Sequence, residues 1–77
     1  MKVTVLVFGN LADIVRQPLL VIDDILDTDA LISYLQNEYP DLQNHRYVVS
    51  LNKKIIQQNM MLHDGDELAL LPPFSGG

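Results

Sequence analysis

A period of two in hydrophobicity opens the chain and predicts a β-strand. Over residues 3–8, valines at every second position alternate with Thr4, Leu6 and Phe8, so apolar side chains occur at both sets of positions. This pattern predicts a strand that is covered on both faces. Residues 11–15 can then form about one turn of helix, and residues 19–22 form a second β-prone run. The opening therefore predicts a wide hairpin.

Apolar residues at helical spacing predict one long helix after this hairpin. Leu31 and Leu35 lie four positions apart and so share one helical face. Thr28 or Asp29 is the expected N-cap, because a side-chain oxygen there can accept a hydrogen bond from a free backbone N–H. Pro40 is expected to end the helix, since proline cannot continue the hydrogen-bond ladder.

The rest of the chain predicts three more strands. Asn52-Lys53 is a candidate tight turn between residues 47–51 and 54–56, and Asp64-Gly65-Asp66 is a turn before residues 67–71. The last run is almost wholly apolar, which is typical of a strand in the middle of a sheet. The pattern predicts an α+β domain over residues 1–71: a mixed sheet of about five strands with one main helix across it.

Composition limits what such a domain can do. The chain has 77 residues, of which 48% are hydrophobic and 19% charged, which fits one folded domain too small for an enclosed substrate cavity. Ten acidic residues against five basic ones give a net charge of -5, which argues against nucleic acid as a partner. The absence of cysteine suits a reducing compartment. Without a membrane span or a signal-like N-terminus, the expectation is a cytoplasmic protein.

The sequence shows none of the conventional combinations of catalytic residues. His45 and His63 are the only histidines, and their spacing does not indicate a shared metal ion. Helix capping and turn formation account for the acidic residues without an acid/base pair. The four glycines do not form a phosphate-binding loop. We therefore expect no bound metal or cofactor, and no catalysis by this chain alone.

The final six residues are the strongest candidate site. Residues 72–77 carry no charged side chain, and their two prolines favour an extended tail that leaves the domain. Gly76 and Gly77 lack side chains, so the backbone could thread a narrow channel and present the carboxylate of Gly77 to another protein. A frayed terminus is the simpler interpretation of two glycines, but their position directly after Pro-Pro-Phe-Ser and an apolar strand favours a carrier. The predicted threading residues are Pro72, Pro73, Phe74, Ser75 and Gly76.

With these elements and this ending, the chain resembles the small subunits of molybdopterin synthases, which are ubiquitin-like sulfur carriers with the β-grasp fold. The likeness covers essentially the whole length. Its most specific parts are the turn Asp64-Gly65-Asp66-Glu67 and the ending Leu71-Pro72-Pro73-Phe74-Ser75-Gly76-Gly77. A terminal Gly-Gly by itself is shared by all ubiquitin-like carriers.

The resemblance implies a reaction cycle centred on Gly77. An E1-like activating enzyme uses ATP to adenylate Gly77, and a sulfurtransferase system converts the adenylate to a thiocarboxylate. The tail then enters the large subunit of the synthase, in a heterotetramer of two small and two large subunits. There the sulfur passes to cyclic pyranopterin monophosphate during molybdenum cofactor biosynthesis. The chain is thus expected to be the sulfur-donating subunit of a transferase.

By position, the resemblance also assigns a hydrophobic partner interface to Phe8, Ile55 and Leu71. Each of the three could instead belong to the core. Three other functions stay open: a sulfur carrier for thiamine synthesis or tRNA thiolation, a ubiquitin-like protein modifier, and a binding module without carboxylate chemistry. The same Gly77 chemistry serves the sulfur carriers, whereas the binding module needs no free carboxylate.

Overall fold

A computed structural model describes residues 1–73 of the chain. The elements are β1 (Lys2–Val7), α1 (Leu11–Val15), β2 (Leu19–Asp23), α2 (Thr28–Glu38), a 3₁₀ helix (Pro40–Asn44), β3 (Val48–Leu51), β4 (Lys54–Ile56) and β5 (Glu67–Leu71). All five predicted strands and the one long helix are present. The 3₁₀ helix was not predicted.

The five strands form one mixed sheet in the order β2-β1-β5-β3-β4. Only β1 and β5 run parallel, with Val5 beside Leu68 and Val7 beside Leu70. The other neighbours are antiparallel, including the predicted wide hairpin of β1 and β2. The prediction that the last strand lies in the middle of the sheet is confirmed, because β5 has partners on both sides.

The hydrophobic core lies between one face of this sheet and the helices. Alternate residues of β1 and β5 point into it, as expected for strands with a side-chain period of two. Helix α2 adds Leu31 and Leu35, and the 3₁₀ helix adds Leu42. The fully buried large side chains are Leu11, Leu31, Leu35, Leu42, Leu68, Leu70, Val3, Val5 and Val15.

The other face of the sheet is not covered, and here the prediction for β1 was wrong. Thr4 and Leu6 are only half-buried, because no element among residues 1–73 packs over them. The apolar side chains at these positions are thus the surface of the sheet and not a second core. We call this surface the open face; besides Thr4 it includes Leu6, Phe8, Leu19, Val21, Val48, Ser50, Ile55, Ala69 and Leu71.

The start of α2 also differs from the prediction. The N-cap is Asp27, whose Oδ1 accepts a hydrogen bond from the Ala30 N–H at 2.8 Å. Thr28 is instead buried within the first turn, where its hydroxyl accepts a hydrogen bond from the Met60 N–H at 2.9 Å. A capping side chain must come from a residue with extended backbone, and Asp27 has that geometry, with φ -149 and ψ 170.

Pro40 ends α2 as predicted, but the chain continues directly into the 3₁₀ helix. That short helix buries Leu42, which the spacing of the preceding helix did not mark as a core residue. The next strand, β3, begins at Val48 and not at Tyr47. The Tyr47 hydroxyl accepts a hydrogen bond from Gln36 Nε2 at 2.8 Å, which ties the approach to β3 against α2.

Within the described part of the chain, no helix reaches the length and hydrophobicity that crossing a bilayer requires.

Candidate functional site

The chain leaves the sheet at the end of β5. This strand ends at Leu71, and it is followed by half-buried Pro72 and exposed Pro73. We call residues 72–73 the tail root. Four predicted site residues, Phe74, Ser75, Gly76 and Gly77, lie outside the described residues, so the threading tail and its reactive carboxylate stay predictions.

The tail root packs against the turn that follows β1. Phe8 extends the parallel pairing beyond β1, since its N–H donates a hydrogen bond to the Leu70 carbonyl at 3.0 Å. Gly9 comes next, with φ +60. A Cβ at Gly9 would lie only 2.6 Å from Pro72 Cγ, so the absence of a side chain permits this approach. From its sequence position Gly9 is predicted only to end the first strand, and no sequence signal indicates this contact.

The three predicted interface residues all lie on the open face. Phe8 is 45% exposed and Ile55 is 53% exposed, so neither residue belongs to the hydrophobic core. Leu71 is half-buried and follows Leu70, the partner of Val7, so it lies beside Phe8. Ile55 is in β4 at the sheet edge, separated from β5 by β3. Phe8 and Leu71 thus form one apolar surface next to the tail root, and Ile55 lies farther along the same face.

Exposed apolar side chains on one sheet face are typical of a protein-binding surface. Leu19 and Val21 extend the open face across β2, and they are 49% and 55% exposed. Two residues with small side chains, Ala69 and Ser50, lie in the centre of the sheet and are buried. No pattern in the sequence separates this exposed set from the core set, because β1 is apolar on both faces.

The opposite end of β5 carries the turn Asp64-Gly65-Asp66-Glu67, which we call the acidic turn. Its groups hydrogen-bond to other parts of the fold. Asp64 Oδ1 accepts from the Lys2 N–H at 2.7 Å, and the Gly65 N–H donates to the Lys2 carbonyl at 2.8 Å. The Asp66 carbonyl accepts from the Thr4 N–H at 3.0 Å. These bonds fasten the acidic turn to the start of β1.

Asn52 connects the acidic turn to the hairpin of β3 and β4. Its Nδ2 donates to Asp66 Oδ1 at 3.0 Å, and its Oδ1 accepts from the Glu67 N–H at 2.9 Å. Asn52 and Lys53 both have positive φ, 49 and 73, which confirms the predicted tight turn and explains the asparagine. The acidic turn, on which the family resemblance partly depends, therefore has a structural role: it links the start of β5 to β1 and to the turn after β3.

The same bonds determine the charge state of Asp66. Hydrogen bonding by the Asn52 side chain, together with a bond from the His63 backbone N–H, lowers the pKa of Asp66 below its ordinary value of 3.8. Both bonds favour the ionised carboxylate. The His63 ring lies 3.8 Å from Asp66 but is 80% exposed, so solvent weakens that pair. Asp66 is thus a stable anion, unsuited to proton transfer near neutral pH.

Among residues 1–73, no set of acidic or histidine side chains could hold a metal ion. Every buried side-chain nitrogen or oxygen in that region has a hydrogen-bond partner, so none is left oriented toward a substrate. Two open grooves of about 410 and 580 Å³ flank β4, and neither is lined by the tail root, Phe8 or Gly9. The features that stand out among residues 1–73 are thus the exposed apolar side chains of the open face and the point at which the chain leaves β5.

Comparisons with known proteins agree with this arrangement. The ThiS family profile matches residues 5–77. A protein of Mycobacterium tuberculosis (strain ATCC 25618 / H37Rv), the molybdopterin synthase sulfur carrier subunit, is 33% identical over 81 residues, which cover 99% of this chain and 98% of that protein.

Two solved structures share the fold over almost the whole chain. In the complex of subunits 1 and 2 of the molybdopterin-converting factor from Helicobacter pylori 26695, the matching chain is 30% identical, with a TM-score of 0.76 and full coverage of both chains. The small archaeal modifier protein 1 of Methanosarcina acetivorans is 24% identical, with a TM-score of 0.83, covering 99% of this chain and 96% of that one. The predicted ubiquitin-like β-grasp fold is confirmed.

Proposed function

This chain belongs to the ThiS family, and from that membership we propose that it is the sulfur carrier subunit of a molybdopterin synthase. The observation that carries the proposal is the 33% identity, over 99% of the chain, to a protein with that name. The chain supplies the sulfur, and a large subunit supplies the catalytic side chains. This division agrees with the absence, among residues 1–73, of a side-chain cluster that could hold a metal ion.

The proposed chemistry takes place at the carboxylate of Gly77. An activating enzyme uses ATP to form an acyl adenylate there, which turns a poor electrophile into a reactive one. Sulfide-level sulfur from a donor then displaces AMP and leaves a thiocarboxylate, and transfer of this sulfur to cyclic pyranopterin monophosphate returns Gly77 to a carboxylate. The composition suits this step, since a chain without cysteine has no thiol of its own to attack the activated end.

The proposed partner surface is the open face. Phe8 and Leu71 lie directly beside the tail root, so a protein that covers them is well placed to receive the residues that follow Pro73. Binding there would remove two apolar side chains from water, and this burial is favourable. The related Helicobacter pylori structure is a complex of two subunits, which supports a large subunit as the partner.

A protein modifier is the second candidate function. The likeness to a small archaeal modifier protein, at 24% identity, concerns the fold alone. Carriers and modifiers can share a fold and an activated C-terminal glycine while differing in the final acceptor. A modifier would end in an isopeptide bond with a target lysine, whereas the proposed carrier ends in a thiocarboxylate. Carriers for thiamine synthesis or tRNA thiolation share the thiocarboxylate and differ only in the acceptor protein.

The test is mass spectrometry of the intact chain after incubation with ATP, an activating enzyme and a sulfur source. Fragmentation must locate the change, because replacing oxygen by sulfur adds nearly the same mass as oxidising Met1, Met60 or Met61. We expect sulfur on Gly77, and transfer to cyclic pyranopterin monophosphate once a large subunit is added. A matched control carries one extra residue after Gly77 and should gain none.

Two results would contradict the proposal. An unmodified Gly77, beside a control carrier that is modified in the same mixture, would exclude sulfur-carrier chemistry. A thiocarboxylate that forms but is not consumed by the large subunit would exclude the molybdopterin pathway and leave the other sulfur carriers. Lysine conjugates in a cell extract would instead identify a modifier.

A further inference from the structure

The close approach of Gly9 and Pro72 joins the open face to the tail root. Gly9 follows Phe8, and Pro72 follows Leu71, so the contact lies immediately beside two residues of the open face. A Cβ built at Gly9 would be 2.6 Å from Pro72 Cγ, whereas ordinary van der Waals contact begins at 3.4 Å. Any side chain at position 9 would therefore push against Pro72.

The backbone on the Gly9 side is held in place. The Phe8 N–H bonds to the Leu70 carbonyl at 3.0 Å, and the Gly9 carbonyl accepts from the Ala12 N–H at 3.1 Å. These two bonds fix Gly9 between β5 and the first turn of α1. The backbone at position 9 cannot move away from Pro72 without lengthening or breaking one of these two hydrogen bonds.

Pro72 is the side that would yield. Its Cγ belongs to a ring that is closed onto the backbone nitrogen, so this atom can shift by a change of ring pucker but cannot swing away as the end of a free side chain would. The part of the overlap that a change of pucker does not relieve must be taken up by the main chain directly after β5. A shift of the main chain at Pro72 changes the direction in which the chain leaves β5 toward Pro73.

We propose that Gly9 is a positioning residue for the C-terminal tail. By leaving room for Pro72, it fixes the direction in which the chain leaves β5 relative to the open face. The inference rests on the proposed function, since the direction matters when a partner bound to the open face must receive the tail in its active site. A misplacement of about 1 Å in a reacting group can cost on the order of 100-fold in rate.

The test is a double-mutant cycle with a matched glycine control. The four chains are the wild type, Gly9→Ala, Pro72→Ala and the double variant. Replacing Pro72 by alanine removes Cγ and leaves Cβ, which lies 3.9 Å from the built Cβ at Gly9, an ordinary contact. Gly65→Ala is the control, because Gly65 also has positive φ, +86, and nothing lies within 4 Å of its built Cβ.

Two quantities are measured for each chain: the affinity for a molybdopterin synthase large subunit, and the rate of sulfur transfer from the preformed thiocarboxylate at saturating large subunit. We expect Gly9→Ala to slow transfer by at least about tenfold, in line with the cost of misplaced reacting groups, with a smaller change in affinity. Gly65→Ala should transfer at the wild-type rate. In the Pro72→Ala background, the Gly9→Ala substitution should have little further effect on the rate of sulfur transfer.

Two outcomes would overturn the inference. One is an equal rate loss in Gly9→Ala and Gly65→Ala, which would assign the effect to backbone strain. The other is a Gly9→Ala defect of the same size in the wild-type chain and in the Pro72→Ala variant, which would remove Pro72 from the explanation.

A readout without any sulfur chemistry separates this inference from the proposed function. The backbone amide resonances of Val48, the partner of Leu71, and of Leu70 should shift in Gly9→Ala and return toward wild-type values in the double variant, since neither residue adjoins a substituted position. If the wild type gains no sulfur, the proposed function fails, and the positioning role is judged by these resonances. If the resonances do not respond to Gly9→Ala, the positioning role fails even though sulfur transfer works.

Discussion

The two ends of the parallel pair β1 and β5 differ sharply in chemistry. At the start of these strands, the acidic turn holds three carboxylates and is linked to Lys2, Thr4 and Asn52 by hydrogen bonds. At their end, the tail root and its neighbours Phe8 and Gly9 have no ionisable side chain. The charged end stabilises the fold, and we propose that the uncharged end performs the function. Clustered carboxylates are therefore a poor guide to the functional site here.

The largest expected effect comes from deleting Gly76 and Gly77. We expect complete loss of sulfur incorporation and no loss of thermal stability, because the core that residues 1–73 form is complete between residues 3 and 70. Mass spectrometry and a thermal melt would measure the two quantities. Asp64→Asn is the matched change at the charged end and should leave sulfur incorporation intact. A substantial fall in melting temperature on deletion would mean that the terminal residues stabilise the domain.

A charge on the open face should have the next largest effect. Phe8→Asp is expected to weaken binding of a large subunit by about 2 kcal/mol, the size typical of a central interface residue. Leu26→Asp is the control, since Leu26 is apolar and 68% exposed but lies outside the sheet. Calorimetric titration would measure both affinities, after circular dichroism has shown that both variants are folded. Equal affinities for the two variants would refute the open face as the docking surface.

Asn52→Ala tests the charged end directly. This change removes the hydrogen bonds that the Asn52 side chain makes to Asp66 and to the Glu67 N–H. We therefore expect the free energy of unfolding to fall by about 1–2 kcal/mol. Denaturant titration would measure the loss. The rate of sulfur incorporation at a temperature where the variant is folded should be unchanged. A specific loss of sulfur incorporation in the folded variant would give the charged end a functional role.

The smallest expected effect is on the pH dependence of stability. The folded-state pKa of Asp66 is lowered, so its contribution is present above the unfolded-state value, near 3.8, and is lost as the pH falls through the lower folded-state value. As the pH is lowered through the acid range, the denaturant midpoint of unfolding should fall less steeply for Asp66→Asn than for the wild type. Identical slopes would mean that Asp66 has the same pKa in both states.

Much of the fold could be predicted from sequence because local signals agree with it. Alternating valines, the helical spacing of Leu31 and Leu35, and the turn at Asn52-Lys53 gave the correct elements. The N-cap was misassigned because Asp27, Thr28 and Asp29 are all good capping residues, and only the backbone geometry identifies Asp27. Leu42 is buried because of how the 3₁₀ helix packs, and no hydrophobic periodicity in the sequence predicts that packing.

The candidate site was less accessible to sequence reasoning. Apolar residues on both sides of β1 predicted two covered faces, but burial depends on whether another element lies over the strand, and none in residues 1–73 does. Phe8 and Leu71 could be assigned to an interface only through resemblance to a family. The contact of Gly9 with Pro72 joins residues 63 positions apart, so only the folded structure brings it to light.

The most direct test of the contrast between the two ends is an NMR titration of the 15N-labelled chain with a molybdopterin synthase large subunit. We expect the amide resonances of Phe8, Ile55 and Leu71 to change or broaden most strongly on binding. Those of Asn52 and Asp66 should change least. Strong perturbation centred on Asn52 and Asp66, with Phe8 and Leu71 unaffected, would contradict the assignment of function to the uncharged end.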